Sequence, residues 1–176
     1  MSKSEIYIGV LSGTSADSID ALLIDFSKSD KVINRFSKKI PVEIKNKIFE
    51  LVLNEQVRNY SKKQKELDLI LGELISKCIN QLIKKTKIDR KKIKAIGSHG
   101  QTIKHNSSIK NPYSLQIGNP ELISKLTGIK VIYGFRQSDI ANGGIGAPLT
   151  PAFHNEFMSK AKVNRAIVNI GGIANI

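Results

Sequence analysis

The sequence IYIGVLSGTSADSIDALLID, residues 6–25, predicts two strands joined by a short polar turn. Both runs are apolar on nearly both faces, which is typical of a central strand covered by helices on each side. The turn combines Gly13, where a ligand can approach the backbone closely, with the hydroxyls of Ser12, Thr14 and Ser15. Its amide groups favour a nest for an anion such as phosphate. From these residues alone, an ordinary polar hairpin turn is an equal alternative.

Two carboxylates, Asp17 and Asp20, follow this turn closely. A carboxylate beside a phosphate is unfavourable unless a cation lies between them. Carboxylate oxygens together with phosphate are the ligands that Mg²⁺ prefers. The two aspartates therefore predict a magnesium ion at the same place as the phosphate.

Length and composition indicate a water-soluble globular protein. The 176 residues suffice for one domain, or one and a fraction, with a substantial core. No run of 18 apolar residues is present, and residues 1–5 do not begin a secretory signal, so we expect no membrane partner. The single cysteine, Cys78, lies on an apolar helix face, which predicts a core residue rather than a nucleophile. A single cysteine cannot form an internal disulfide, which fits a reducing, cytoplasmic location.

The charge balance is strongly basic, with 28 Lys and Arg against 15 Asp and Glu, a net charge of +13. Such a balance raises the hypothesis of nucleic-acid binding. The densest run, KKTKIDRKK at residues 84–92, has no interleaved aromatic residue and only one arginine. A solvated helix end is the favoured interpretation, so we predict no nucleic-acid partner. The basic charge still favours attraction of an anionic substrate.

The remaining pattern predicts strands that alternate with helices, without repeats or an obvious linker. The longest predicted helix has an apolar stripe that comprises Leu67, Ile70, Leu71, Leu74, Cys78 and Leu82. We expect an edge strand at residues 31–40, a helix at 42–54 and a second helix that begins at Ser61 in a capping box with Gln64. A short strand at 94–102 that ends in a polar turn, a strand at 113–118 and a helix from Asn119 to Gly128 should follow. The pattern then predicts a strand at 129–135, a glycine turn at 141–149, a helix from Pro151 and a strand at 165–170.

Polar clusters follow four of the predicted strands, at residues 12–20, 98–102, 136–139 and 169–175. If these strands lie side by side, the clusters face one cleft, which favours an enzyme or a ligand-binding lobe. The P-loop, Rossmann and nucleophile-elbow motifs are absent, and the three histidines lack metal-ligand spacing. His99, in a strand end that also contains Gly97 and Gly100, favours a ligand contact. Arg136 and Asp139 fit a local ion pair as well as they fit substrate binding.

Seven blocks of this sequence closely resemble the anhydro-N-acetylmuramic acid kinase family, in that family's order and at compatible spacing. They are IGVLSGTSADSID at residues 8–20, GSHGQT at 97–102, LQIGNPELI at 115–123, TGI at 127–129, FRQSDIANGG at 135–144, GAPLTPAFH at 146–154 and NIGGIANI at 169–176. The resemblance implies the sugar-kinase/Hsp70/actin fold group. We therefore expect an α/β, actin-like ATPase (ribonuclease H-like) lobe with a three-strand meander followed by αβ units. Residues 1–140 would form this lobe, and residues 141–176 would begin a second one.

The resemblance also implies an activity and its residues. Family members use ATP and Mg²⁺ to open the 1,6-anhydro bond with water and phosphorylate the 6-oxygen, in peptidoglycan recycling. Residues that would bind the ATP phosphates are Gly13, Thr14, Ser15, Ala16, Asp17, Ser18, Ile19 and Asp20, with Asp17 and Asp20 also at the magnesium ion. Residues that would line the sugar side are His99, Gln101, Arg136 and Asp139. Asn169, Gly171 and Gly172 would begin the floor of the second lobe.

Three departures from the family pattern stand out. Where the family has Leu-Asp-Gly-Val-Asp, this chain has Ala-Asp-Ser-Ile-Asp at residues 16–20. Loss of the glycine at position 18 could tighten the turn. Gly134 replaces the aspartate of Asp-Phe-Arg and removes a carboxylate. Ile145 replaces the glutamine of Gly-Gly-Gln-Gly and removes an amide.

Family members are about twice as long, and the resemblance places their general base and adenosine-binding glycines beyond residue 176. We therefore expect this chain to be the N-terminal half, with no catalytic residue of its own and no kinase activity in isolation. A complementing C-terminal half or a homodimer would then be its protein partner. The alternative is an inactive remnant, or a lobe of a split enzyme that binds a ligand or a partner.

Overall fold

The computed structural model describes residues 5–27, 32–54, 61–170 and 174–176. The chain divides into two units. Unit 1 comprises Met1–His105 and Leu115–Gly134, and unit 2 comprises Asn106–Ser114 and Phe135–Ile176. The predicted boundary between two lobes at residue 140 stays a prediction.

Unit 1 is built on the expected three-strand meander. Strands β1 (Ile6–Ser12), β2 (Ser18–Asp25) and β3 (Val32–Lys39) pair antiparallel in sequence order. Strand β4 (Ile93–Asn106) then pairs parallel with β1, and the sheet order is β3-β2-β1-β4-β5, with β5 at Tyr113–Ile117. Strand β6 (Val131–Ile132) pairs parallel with β4. The α/β, actin-like lobe expected from the sequence is confirmed, and β3 lies at the sheet edge as predicted.

The described residues of unit 1 form three α-helices: α1 (Val42–Leu53), α2 (Lys62–Thr86) and α3 (Pro120–Thr127). Alternate residues of β1 and β2 point into the core beneath α2, among them Ile8, Ile19 and Leu23. On the opposite face of β1, Tyr7 and Gly9 are only half-buried and Leu11 is 49% exposed. The expectation that both faces of this strand are covered is therefore wrong, because the sequence pattern counts apolar residues and not the helices available to cover them.

Helix α3 shows the predicted end signals. Asn119 accepts a hydrogen bond from the Leu122 amide (2.8 Å), Pro120 occupies the first turn, and Gly128 closes the helix with a φ of 69°. At the start of α2, Ser61 Oγ accepts from the Gln64 amide (3.3 Å). The reciprocal bond of the capping box is not formed, because the Gln64 side chain turns into the core, where it has no partner in the described part of the chain.

The buried face of α2 is wider than the predicted stripe. Ile75 and Ile79 join it, while Ile70 and Leu74 are only half-buried. Three polar residues, Gln64, Asp68 and Ser76, are also buried on this helix. Periodicity alone misses Asp68, because its hydrogen-bond partners, Gly118 and Asn119, lie in another part of the chain.

The polar turn predicted at the end of the strand at 94–102 is wrong. These residues continue inside β4, which has 14 residues. Neighbouring strands pair with both sides of this segment, so its glycines lie in a ladder rather than in a loop.

The strand predicted at 129–135 shortens to β6, because Gly134 adopts a φ of 72° and ends the extended run. Residues Phe135–Ala141 instead form helix α4 of unit 2. Unit 2 also contains α5 (Pro151–Met158), as expected, and strands β7 (Asn169–Ile170) and β8 (Ala174–Asn175). The strand predicted at 165–170 is thus limited to the two residues that pair with β8.

Cys78 is a core residue, as predicted. It is fully buried in α2, and its thiol donates to Ile19 O at 3.4 Å. Burial, with a smaller contribution from Asp20, raises the pKa of the thiol to about 11.

This raised pKa predicts a loss of stability in alkali. Because the unfolded thiol ionises at a lower pH than the folded one, the contribution of Cys78 is complete below the unfolded pKa and is lost as the pH rises towards 11. Urea midpoints of the wild type and Cys78→Ala, measured at intervals between about pH 8 and pH 10.5, should therefore converge as the pH rises. Parallel curves would contradict this prediction.

Among the described residues, no helix is long and apolar enough to cross a membrane.

Candidate functional site

The turn between β1 and β2 presents an exposed backbone. Thr14 and Ser15 are exposed, and a side chain at Gly13 would meet no atom within 4 Å. The Ala16 amide closes the turn by donating to Gly13 O at 3.0 Å, and Ala16 itself is buried with a φ of 49°. The turn therefore leaves Gly13, Thr14 and Ser15 accessible to a ligand. The nest hypothesis requires such access, and the phosphate site itself stays a prediction.

A buried hydrogen bond supports the hairpin from β4. Ser12 Oγ donates to Gln101 Oε1 at 2.6 Å, and the two residues are also partners in the β1–β4 register. Gln101 is only 1% exposed, and its Nε2 donates to Thr102 O at 3.2 Å. The structure thus brings two predicted site residues together, and it places the Gln101 side chain in the core.

Asp17 is held by a lysine from outside the hairpin. Lys45, in the first turns of α1, contacts Asp17 Oδ1 with its Nζ. A hydrogen bond from Lys45, and a smaller one from the Ser15 hydroxyl, lower the pKa of the Asp17 carboxyl. The Asp17 carboxylate is therefore paired with a side-chain cation.

Asp20 has different partners. Its Oδ2 accepts from Ser18 Oγ at 3.0 Å, and its Oδ1 accepts from Ser37 Oγ. Ser18 lies in β2 with an ordinary backbone conformation, so the glycine that it replaces is not required for the turn. Within the described ranges, no group of three His, Cys, Asp or Glu residues is placed to hold a metal ion.

His99 occupies a β-bulge. The β1–β4 register passes from Val10–Ser98 to Leu11–Gly100, so His99 is the extra residue on β4. It is half-buried, and its Nδ1 lies 3.2 Å from Gly100 O. Gly100 has a φ of 71°, and a Cβ there would lie 2.5 Å from Ile117 O. The bulge sets the position at which β4 presents the imidazole.

In unit 2, Arg136 and Asp139 both hold the glycine turn. Arg136 donates to Gly146 O at 2.7 Å, and Asp139 Oδ2 accepts from the Gly146 amide at 2.8 Å. The Gly144 amide donates to Asp139 O at 2.9 Å, and a Cβ at Gly144 would collide with the Asp139 carboxylate. Burial lowers the pKa of Arg136. These two residues meet through Gly146, an arrangement that the sequence did not predict.

Of the residues predicted to begin the second lobe, Asn169 is exposed in β7, whereas Gly171 and Gly172 lie outside the described residues.

Sequence reasoning missed two charged residues, Lys45 and Asp68. Lys45 is 28 residues from Asp17, and one lysine among many carries no signal of its own.

A three-strand meander, a parallel fourth strand and an exposed polar hairpin turn define an actin-like ATPase lobe of the sugar-kinase type. A model of the family described as anhydro-N-acetylmuramic acid kinase matches residues 5–176. The chain belongs to this family, which is a family of carbohydrate kinases that use ATP.

Curated relatives agree with this assignment. The anhydro-N-acetylmuramic acid kinase of Coxiella burnetii (strain Dugway 5J108-111) is 44% identical over 172 residues, which cover 98% of this chain and 45% of that protein. The kinase of the same name from Shewanella amazonensis is 44% identical over 179 residues, which cover 100% of this chain and 47% of that protein. The chain thus spans about half the length of the curated relatives that it matches.

Proposed function

We propose that this chain is the phosphate-binding lobe of an ATP-dependent kinase that converts 1,6-anhydro-N-acetylmuramic acid to N-acetylmuramic acid 6-phosphate with opening of the anhydro ring. The observation that carries the proposal is the accessible turn at Gly13, Thr14 and Ser15, in a chain of this family. Backbone amides and hydroxyls at a strand end suit an anionic phosphate chain.

The hairpin is the proposed nucleotide site. Residues 13–20 would hold the phosphates of ATP, which when bound supplies the phosphoryl group. Gly13 lets the phosphates approach the backbone, and the Thr14 and Ser15 hydroxyls add hydrogen-bond donors. Mg²⁺ is the proposed counter-ion of the polyphosphate. Asp20, whose carboxylate is bonded to two hydroxyls, is the hairpin carboxylate better suited to face it.

The sugar side is proposed to involve the four residues chosen from the sequence. His99 suits a hydrogen bond to a sugar hydroxyl, and Arg136 suits the carboxylate of the lactyl group. Gln101 and Asp139 are already bonded to Ser12 and to the Gly146 amide. We therefore assign these two a supporting role, in which they hold the hairpin and the glycine turn in place.

The partner of this lobe is proposed to be the region that corresponds to the second half of the relatives. That region would supply the general base for water and the adenosine site, either as a continuation of the same chain or as a separate polypeptide. A homodimer of this lobe is a further possibility that sedimentation of the purified chain would test.

A chimera tests the proposed function. The 176 residues are joined to the part of the Shewanella amazonensis kinase that follows its matched segment. The purified chimera is incubated with 1,6-anhydro-N-acetylmuramic acid and Mg·ATP, and we expect N-acetylmuramic acid 6-phosphate by mass spectrometry. The intact Shewanella protein is the positive control, and its second half alone is the negative control. The 176-residue chain, for which the sequence predicts no turnover, is assayed in parallel.

Each outcome is informative. Product from the chimera but not from the second half alone supports the kinase. A chimera that has the circular dichroism spectrum and thermal transition of the intact relative, yet forms no product, contradicts it. That result would favour the alternative of a lobe that binds a ligand or partner without catalysis.

A further inference from the structure

The phosphate hairpin, the proposed phosphate-binding residues 13–20, carries a carboxylate whose negative charge opposes the proposed ligand. This carboxylate is Asp17, which lies two residues after Ser15 and has a side chain that is 65% exposed. Two like charges a few ångströms apart repel each other by about 1 kcal/mol in water and more beside protein. A hairpin that binds phosphate therefore needs a cation at Asp17.

The fold places a lysine at this position. The Ile40 amide donates to Asp17 O at 2.9 Å, which fixes the junction between β3 and α1 against the hairpin. Lys45 lies one turn into α1, and its own amide donates to Pro41 O at 2.9 Å. Its ammonium group contacts Asp17 and lies 5.7 Å from the centre of the Phe49 ring. The Lys45 side chain is 32% exposed, about half the value for Asp17, so it is the more confined partner.

A divalent ion fits this carboxylate less well. Mg²⁺ requires near-octahedral coordination by oxygen atoms, and an ammonium group on the same carboxylate opposes it. Asp20, the nearest carboxylate along the chain, is bonded instead to Ser18 and Ser37.

We propose that Lys45 is the cation of the phosphate hairpin: its ammonium group neutralises Asp17, so the turn binds polyphosphate without a divalent ion on that carboxylate. This inference rests on the phosphate-binding role proposed for the hairpin. Lys45 acts through Asp17 and is thus a positioning residue.

The test uses the 176-residue chain and magnesium-free tripolyphosphate in EDTA, followed by the NMR shifts of the Thr14 and Ser15 amides. We expect a saturable shift in the wild type. Lys45→Gln should weaken the apparent affinity roughly tenfold, since one neighbouring charge is lost. Asp17→Asn combined with Lys45→Gln should recover most of that loss, because the carboxylate that needed neutralisation is gone.

Lys47→Gln is the matched control. Lys47 is exposed on the same helix, two positions after Lys45. Its replacement by glutamine removes the same charge from a different face of the helix. It should leave the affinity within about twofold of the wild type.

Four results would overturn the inference. They are no saturable shift at Thr14 and Ser15 in the wild type, an unchanged affinity in Lys45→Gln, an equal loss in Lys47→Gln, and no recovery in the double variant. The last would indicate that Lys45 contacts phosphate directly. Because the titration needs neither sugar nor turnover, a positive result beside an inactive chimera would reject the kinase and keep this site.

Discussion

Replacing Asp68 by alanine is expected to lower the free energy of unfolding by about 3 kcal/mol. Asp68 is a buried carboxylate on α2, and it holds the turn that joins β5 to α3. Its Oδ1 accepts from the Gly118 amide at 2.7 Å, and its Oδ2 accepts from Asn119 Nδ2 at 2.9 Å. The Asn119 amide also donates to Asp68 O at 3.1 Å. The substitution leaves a buried donor, the Gly118 amide, and a half-buried donor, Asn119 Nδ2, without an acceptor, which is the costly case for a hydrogen bond.

The loss should be local as well as global. Urea denaturation followed by circular dichroism measures the total effect, and hydrogen exchange at the Gly118 amide reports the turn itself. Asp68→Asn should be intermediate, because one oxygen can still accept from Gly118 while the new amide faces Asn119.

Glu73→Ala is the control for this prediction. Glu73 lies on the same helix with its side chain 56% exposed, and it pairs with Lys77 at 3.5 Å. Exposed pairs of this kind contribute about 0.5 kcal/mol or less. An Asp68→Ala protein as stable as Glu73→Ala would show that the hydrogen bonds between Asp68 and the β5–α3 turn contribute nothing to the free energy of unfolding.

Gly100→Ala is expected to destabilise the protein by about 3 kcal/mol or more, because two unfavourable terms add. The φ of 71° places an L side chain in the left-handed region, and the new Cβ would lie 2.5 Å from the backbone oxygen of Ile117. Backbone cannot swing away as the end of a side chain can. The β4 bulge and the strand beside it must therefore shift, and His99 should move with them.

Two other glycines allow the conformational cost and the steric cost of an added Cβ to be measured separately. Gly128 has a φ of 69° with no atom within 4 Å of a Cβ, so Gly128→Ala should show the conformational term alone, about 1 kcal/mol. Gly9 has neither constraint, and Gly9→Ala should change stability by less than about 1 kcal/mol. The denaturation midpoints should fall in the order Gly9→Ala, Gly128→Ala, Gly100→Ala. If Gly100→Ala matched Gly128→Ala, the close approach to Ile117 would be disproved.

Local signals predicted much of unit 1. Alternation predicted β1 and β2, and the asparagine, proline and glycine around α3 predicted both ends of that helix, because caps depend on neighbours within a few residues. Cys78 was correctly assigned to the core from helical spacing.

Strand lengths were predicted less well. The 14 residues of β4 run through a glycine-rich segment that resembles a turn in isolation. Only the strands on either side, which satisfy its backbone hydrogen bonds, keep it extended. In the other direction, a single left-handed glycine at position 134 ended a strand that the apolar residues favoured.

The sequence by itself determined the three-strand meander, helices α1, α2, α3 and α5, the hairpin turn and the family, because these depend on residue types at short spacing and on ordered blocks. The tertiary structure decided what the polar residues do. It set Gln101 against Ser12, Asp68 against Gly118 and Lys45 against Asp17, pairs that are 89, 50 and 28 residues apart. The register of β1 with β4 chooses the first pair, and the packing of α2 and α1 chooses the other two. Hydrogen bonds and charges act over a few ångströms, whatever the distance along the chain.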